Sequence, residues 1–360
     1  MNIPWAIPNI QEEDKNFVKE TIDSGWYVMG KIVKEFEDEM LHISGTRYAI
    51  AVNNGTSALE ILMIALGIGP GDEVIIPAYS YIATANAVKL IGAIPVFVDV
   101  DEYMTINANL LENAVTKNTR AVITVDLTGS PCDYDSLTEK CKKLGIFLIV
   151  DGAQSLGSYY NNKSCLSYGI ASTTSFHTAK ILTSIEGGMI FTDDLCLAEK
   201  IRKIRCQGES SEKYFHDVIG GNYRMTDILA SFAINQARRF KQTLEDRNKK
   251  VEYYKNKLTS LNQSIGFLSE RDNSISSNFI FPIFTYRREK LCNFLKKNGI
   301  DTRNIYPKII PHQIAYNLDL NFPVAEKFCR ETISLPLYHN LTYEEIDFIA
   351  DKIRVFFNEI

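Results

Sequence analysis

Ser175-Phe-His-Thr-Ala-Lys-Ile-Leu-Thr-Ser-Ile-Glu-Gly-Gly188 sets one lysine, Lys180, in a short polar connection between two apolar, β-prone runs, Ala171–Phe176 and Met189–Thr192. A lysine held at a sheet edge can lose its proton, attack an aldehyde as a Schiff-base amine and shuttle a proton. Ser175 offers a hydroxyl to a phosphate, and Gly187 and Gly188 let backbone come close to a flat ligand. A lone loop lysine is more often merely solvated. The assignment therefore depends on what the rest of the chain supplies.

Upstream, Ile146–Val150 reads as a buried strand ending in Asp151-Gly-Ala-Gln154. An acid at the carboxyl end of a parallel strand stands where α/β proteins bind ligands, and there it would keep a pyridine nitrogen protonated. A turn-capping aspartate would look the same. Tyr48–Val52 is a strand delivering the chain to Asn53-Asn-Gly-Thr-Ser57, and Ala58–Leu66 follows as a helix. Strand, glycine-and-hydroxyl turn, then helix is a phosphate-binding arrangement, with Gly55 permitting close approach and Thr56 and Ser57 adding donors. The plainer alternative is an ordinary N-cap. Glu73–Pro77 leads into Ala78-Tyr-Ser-Tyr-Ile-Ala-Thr-Ala-Asn86 and a helix to Leu90. Tyr79 and Tyr81 there offer aromatic faces to a planar ring or fill core.

Strands at Ile94–Val100 and Ala121–Val125 and a helix at Asp133–Leu144 continue the alternation, which predicts a mainly parallel sheet with helices on both faces. Ahead of it, Gln11–Asp23 carries Phe17, Val18 and Ile22 at helical spacing, and Val33–Met40 repeats the pattern with Phe36 inward. Beyond it come a helix at Leu197–Ile204, a polar loop at Gly208–Asp217 and a helix through Ala237. A charged helix, Arg238–Leu258, bridges to a tail with a strand at Phe279–Phe284 and helices at Glu289–Lys297, Pro323–Thr332 and Tyr343–Phe357. The expected division is a large α/β domain over 1–240 and a small α+β domain over 241–360.

The bulk composition narrows the function. The chain has 360 residues, 45% hydrophobic and 23% charged, with a net charge of −5. Scattered Lys and Arg, outnumbered by Asp and Glu, argue against a nucleic-acid binder. No apolar run reaches membrane-spanning length, and Met-Asn-Ile-Pro-Trp has no signal-peptide pattern, so a cytoplasmic protein is expected. Seven cysteines, an odd number without a C-x-x-C pair, argue against a disulfide framework and against a metal site.

In order, the motifs are Asn-Gly-Thr-Ser, Tyr-Ser-Tyr-Ile-Ala-Thr-Ala-Asn, Asp-Gly-Ala-Gln, Ser-Phe-His-Thr-Ala-Lys, Glu-Gly-Gly and Asn-Tyr-Arg-Met-Thr-Asp. The series resembles the DegT/DnrJ/EryC1/StrS family of pyridoxal-phosphate sugar aminotransferases. Phe36-Glu37, Gly67-Ile-Gly-Pro-Gly-Asp72, Phe322-Pro-Val-Ala325 and Ser334-Leu-Pro336 are further landmarks, so the likeness runs almost end to end. It implies that Lys180 carries the cofactor as a Schiff base, that Asp151 pairs with its pyridine nitrogen, that Gln154 lies near its ring hydroxyl and that Tyr81 stacks on the ring. Gly55, Thr56, Ser57 and Ser175 would contact the phosphate. Asn222 would reach the phosphate of a neighbouring subunit in a homodimer, and Tyr306 and His312 would approach the sugar. Two departures stand out: Val150-Asp-Gly-Ala153 where many members have Glu-Asp-Ala-Ala, and Asp126-Leu-Thr-Gly129 where His-Leu-Tyr-Gly is common.

The resemblance thus implies a fold-type I enzyme using pyridoxal 5′-phosphate and its pyridoxamine form. The expected reaction moves an amino group from L-glutamate to a nucleotide-linked keto sugar, first a 4-keto-6-deoxyhexose, for a surface polysaccharide. A 3-keto sugar or a cyclitol is the nearer alternative, and a non-catalytic cofactor-binding regulator the farther one.

Overall fold

Seven strands form the central sheet: β1 (Tyr48–Val52), β2 (Glu73–Pro77), β3 (Ile94–Val98), β4 (Thr119–Val125), β5 (Phe147–Asp151), β6 (Ala171–Ser175) and β7 (Gly188–Thr192). They belong to a computed structural model that describes residues 2–358. Met1, Glu359 and Ile360, the outermost residues of the two expected domains, lie outside the described residues. The order across the sheet is β1-β7-β6-β5-β4-β2-β3. From β3 across to β6 all pairings are parallel, and β7 runs antiparallel to both β1 and β6. The mainly parallel sheet read from the sequence is therefore present.

Helices cover both faces, which explains why β2, β4 and β5 are continuous apolar runs and not alternating ones. Successive residues still sort to opposite sides. Ile76, Ile123 and Ile149 pack with the helix Gly55–Ala65, whereas Ile75, Val122 and Leu148 pack with Tyr134 and Leu137 of the helix Tyr134–Leu144. Each such fully buried aliphatic side chain contributes about 1.5–3 kcal/mol.

Several landmarks of the sequence turn out to be joints of the fold. Asp227, the last residue of Asn-Tyr-Arg-Met-Thr-Asp, is buried and accepts N–H bonds from Gly30, Ile32 and Val33 at 2.8, 3.3 and 3.0 Å. It therefore caps the helix Lys31–Ser44, whose own N-cap position, Gly30, has no side chain to do so. Glu37 on that helix accepts the Ala51 N–H and pairs at 2.7 Å with Arg205, both side chains buried. Asp99 accepts the N–H groups of Val324 and Ala325 and so caps the helix Pro323–Glu331.

The boundaries differ from expectation where capping or short elements decide. The helix expected from Ala58 begins at Gly55, because the Asn54 side chain accepts the Ser57 N–H at 2.8 Å and starts the helix three residues earlier. Thr332, expected to end a helix, is extended and opens a strand. This strand, β10 (Thr332–Leu335), lies beside β9 (Phe281–Phe284), which in turn pairs with β8 (Gly266–Phe267). The three strands pack against the helices Phe240–Leu258 and Tyr343–Asn358 through Val251, Tyr254, Ile283, Ile333 and Ile353. Ile3 joins that core, its N–H bonded to the Gly299 carbonyl at 2.8 Å. Ile22, at helical spacing in Glu12–Asp23, faces solvent, while Asp14 on that helix is buried against Arg239. Among the described residues no helix is long and apolar enough to cross a membrane.

Candidate active site

The carboxyl ends of β5 and β6 open onto a cleft of about 750 Å³ whose walls include Gly55, Tyr81, Asp151, Gln154, Ser175 and Lys180. The fold assembles these residues from four separate places in the chain. Val125 and Thr173 flank Asp151 in register, which puts the acid at the mouth of the sheet.

Lys180 sits in the connection between β6 and β7. That connection is tied down by Phe176 N–H to Gly187 O at 2.8 Å, Thr178 N–H to Ile185 O at 3.0 Å and Lys180 N–H to His177 O at 2.8 Å. Burial lowers the amine to a pKa of about 8, and the negative charge of Asp151 works against that fall. The side chain is surrounded by protein yet keeps partial access through the cleft. Water therefore tempers the effect of burial.

Asp151 is buried, and its carboxyl is raised by burial, opposed by its hydrogen bonds and by Lys180. Thr84 donates to Oδ2 at 2.8 Å and the Ala153 N–H to Oδ1 at 3.2 Å. No cation of the chain is bonded to it among the described residues. Gln154 is fixed at both ends: its Oε1 accepts the Thr128 N–H at 2.8 Å and its Nε2 donates to the Tyr306 hydroxyl at 3.1 Å. The two bonds together settle which end of the amide is which. Thr128 does this at φ +64°, a costly angle for a β-branched residue.

The two tyrosines of the second motif take different parts. Tyr79 is fully buried, and its hydroxyl accepts the Tyr306 N–H at 2.7 Å, so it holds the Tyr306 backbone in place. Tyr81 is 58% exposed, lines the cleft and lies 5.8 Å from the Tyr306 ring.

The glycines are explained by contacts within the protein. A Cβ on Gly55 would lie 2.9 Å from the Ser175 Cβ, and one on Gly188 would lie 2.4 Å from the Asn54 carbonyl. Gly188 thus admits the backbone of the Asn54–Gly55 turn, where the sequence suggested a flat ligand. Gly152, at the departure from the usual alanine, would put a Cβ 2.9 Å from the Thr173 carbonyl oxygen and closer still to Leu166.

Two expected residues lie outside the cleft of the single chain. Asn222 is exposed, in a two-residue bridge with Cys206 beside the Asn54 turn. His312 donates from Nε2 to the Leu320 carbonyl, 2.8 Å away. Conversely, the structure adds Thr84, Trp5, Phe279 and Glu60 to the wall. Thr84 was visible in the sequence only as one letter of a motif, four residues after Ser80 on the same side of a helix start. Phe279 carried no signal.

A half-buried lysine and a buried acid at the open end of such a sheet define an α/β enzyme of the fold-type I class. The chain belongs to the DegT/DnrJ/EryC1/StrS aminotransferase family, whose profile matches residues 8–354, and it is a sugar aminotransferase. It is 33% identical over 363 residues to the GDP-perosamine synthase of Escherichia coli O157:H7, covering 99% of each chain. It is 34% identical over 336 residues to the UDP-2-acetamido-2-deoxy-3-oxo-D-glucuronate aminotransferase of Pseudomonas aeruginosa, covering 92% of this chain and 93% of that one. Among solved structures, the PLP form of Spr1654 from Streptococcus pneumoniae superposes with a TM-score of 0.92 at 29% identity, covering 100% of this chain and 99% of that one.

Proposed function

We propose that this enzyme uses pyridoxal 5′-phosphate to move an amino group from L-glutamate to a nucleotide-linked 4-keto-6-deoxyhexose. The observation that carries the reading is the pair in one cleft: a lysine whose amine is partly neutral near pH 8 and a buried carboxylate to which no cation is bonded among the described residues. The donor set fits the cofactor. The N–H groups of Gly55 and Thr56 open a helix and have no partner within it, and Ser175 adds a hydroxyl beside them. Asp151 lacks only a positive charge, which a protonated pyridine nitrogen would bring.

When bound, pyridoxal phosphate supplies an aldehyde and an electron sink. Lys180 Nζ would hold the aldehyde carbon and, once displaced by the donor, take the proton from the donor's α-carbon. Thr84 and the Ala153 N–H would keep the Asp151 carboxylate aimed at the ring nitrogen. Gln154 would hold the ring oxygen through the amide that Thr128 orients. Residues 1–240 would hold the cofactor and residues 241–360 form a smaller domain closing over the acceptor. Asn222 would serve the cleft of a second subunit in a homodimer, where it would contact phosphate, and Tyr306 and His312 would meet the sugar.

Support for the 4-keto acceptor is the likeness to the Escherichia coli perosamine synthase. The name of the Pseudomonas aeruginosa relative favours a second reading, a 3-keto acceptor. The first test is an absorbance spectrum of the purified protein before and after adding glutamate. A visible band that glutamate moves to the shorter wavelength of the pyridoxamine form supports cofactor and donor together. No band after supplying pyridoxal phosphate would remove the assignment at Lys180. A panel of 3-keto and 4-keto nucleotide sugars with product mass spectrometry then separates the two acceptors.

A further inference from the structure

The amine of Lys180 lies over the ring of Phe279, 4.7 Å from its centroid. Phe279 is buried and belongs to the tail of the chain, almost a hundred residues from the lysine. What fixes its backbone is Arg247, on the helix Phe240–Leu258. The guanidinium donates from Nε to the Asn278 carbonyl and from Nη2 to the carbonyls of Phe279 and Leu337, the last two at 2.6 and 3.1 Å. Among the described residues this arginine makes no salt bridge. Its charge is spent on three backbone oxygens, all from segments that wall the space around Lys180. A half-buried arginine whose charge meets only backbone carbonyls is a costly way to tie a loop, which points to the position of that loop mattering to the site.

We propose that Phe279 is the face against which the reactive amine of Lys180 is held, and that Arg247 is the positioning residue that keeps the ring there. The proposal rests on Lys180 being the reacting amine. A ring face attracts an ammonium through its quadrupole and at the same time denies it water. The two effects oppose each other. An aliphatic side chain of similar bulk would exclude water but not attract the charge, so the pair Phe and Leu separates them.

Other charged or titratable groups also surround the amine: Asp151 at the end of β5, His177 and Glu186 on its own connection, Glu60, Tyr81 and Tyr306 across the cleft, and Arg247 and His339 behind it. Of these, Asp151 favours the charged amine of Lys180. The quadrupole of Phe279 acts in the same direction as Asp151, from a different wall.

The test uses the full chain freed of cofactor. Competitive labelling with acetic anhydride from pH 6 to 10, read at Lys180 by peptide mass spectrometry, gives the titration of that one amine. Phe279→Leu should lower its apparent pKa by about half a unit or more, roughly a threefold gain in neutral amine at pH 7. Phe279→Tyr should restore the wild-type titration, and Arg247→Met should shift it as Phe279→Leu does, since the ring would no longer be held. A Phe279→Leu protein that stays folded by circular dichroism and titrates at or above the wild-type pH overturns the proposal. Wild-type titration in Arg247→Met overturns the positioning role. If Arg247→Met does not fold, Arg247→Lys, which can reach fewer carbonyls, is measured in its place and judged by the same two outcomes. Labelling reads Lys180 without the cofactor, so failure here and failure of the absorbance test are separate results.

Discussion

Replacing Lys180 by methionine should make the cofactor-free protein more stable at neutral pH, because the native fold holds this amine where its charge is disfavoured. The amine titrates at about 8 in the fold against 10.5 when free. Between those values the unfolded chain binds more proton than the folded one, so the stability of the wild type rises with pH across that window. The penalty is fully present below pH 8 and fades as pH approaches 10.5. A shift of about 2.5 units sets a ceiling near 3.4 kcal/mol at pH 7. Access of water through the cleft reduces this to about 1–2 kcal/mol. For a chain of 360 residues that is a midpoint about 2 °C higher in the methionine variant. Urea unfolding of both apo proteins at pH 7 and pH 9.5 decides it. Better packing by methionine would be independent of pH, whereas loss of the charge predicts that about a third of the electrostatic gap disappears by pH 9.5. Equal stabilities at pH 7, or a gap unchanged at pH 9.5, would refute the reasoning.

The remaining expectations test other contacts. Thr84→Val removes the hydroxyl that donates to Asp151; it should raise that carboxyl further and cut kcat about 10- to 100-fold with little change in the urea midpoint, while Thr84→Ser recovers most of the rate. Gly152→Ala should cost about 1–3 kcal/mol in urea unfolding, since the new methyl meets the Thr173 carbonyl. Arg205→Met leaves the Glu37 carboxylate buried without its partner and should cost about 3–5 kcal/mol by the same assay. Capture of pyridoxal phosphate by the apo protein, followed at 25 °C by stopped-flow absorbance, should speed up with pH and level off above about 8 as Lys180 loses its proton.

The sheet was legible because strands such as β1 and β2 are short, largely apolar runs separated by helical spacing, and both fall where those runs begin and end. Two-residue strands such as Tyr159–Tyr160 are too short to show a period, and they went unread. Around the site, Lys180 and Asp151 announced themselves as charges at strand ends. Thr84 and Phe279 did not, since a threonine in a helix start and a phenylalanine just ahead of a strand are ordinary until a fold brings them against an acid and an amine. The glycines were read as places of close approach, and the structure supplies protein neighbours for them. A sequence shows that something comes near Gly188; only the fold shows that it is the Asn54 carbonyl.

The start of the chain is used late. The Ile3 N–H binds the Gly299 carbonyl, its own carbonyl accepts the Asp301 N–H, and the Trp5 indole donates to Ser334 at 2.9 Å while its ring lines the cleft. On a ribosome, residues 3 to 5 leave the exit tunnel long before these partners are made. The sheet and its lysine can assemble in the meantime, yet one wall of the pocket is missing until the segment reaching Ser334 is synthesised. A nascent chain interrupted before Ser334 would carry Lys180 in a cleft still open on the Trp5 side.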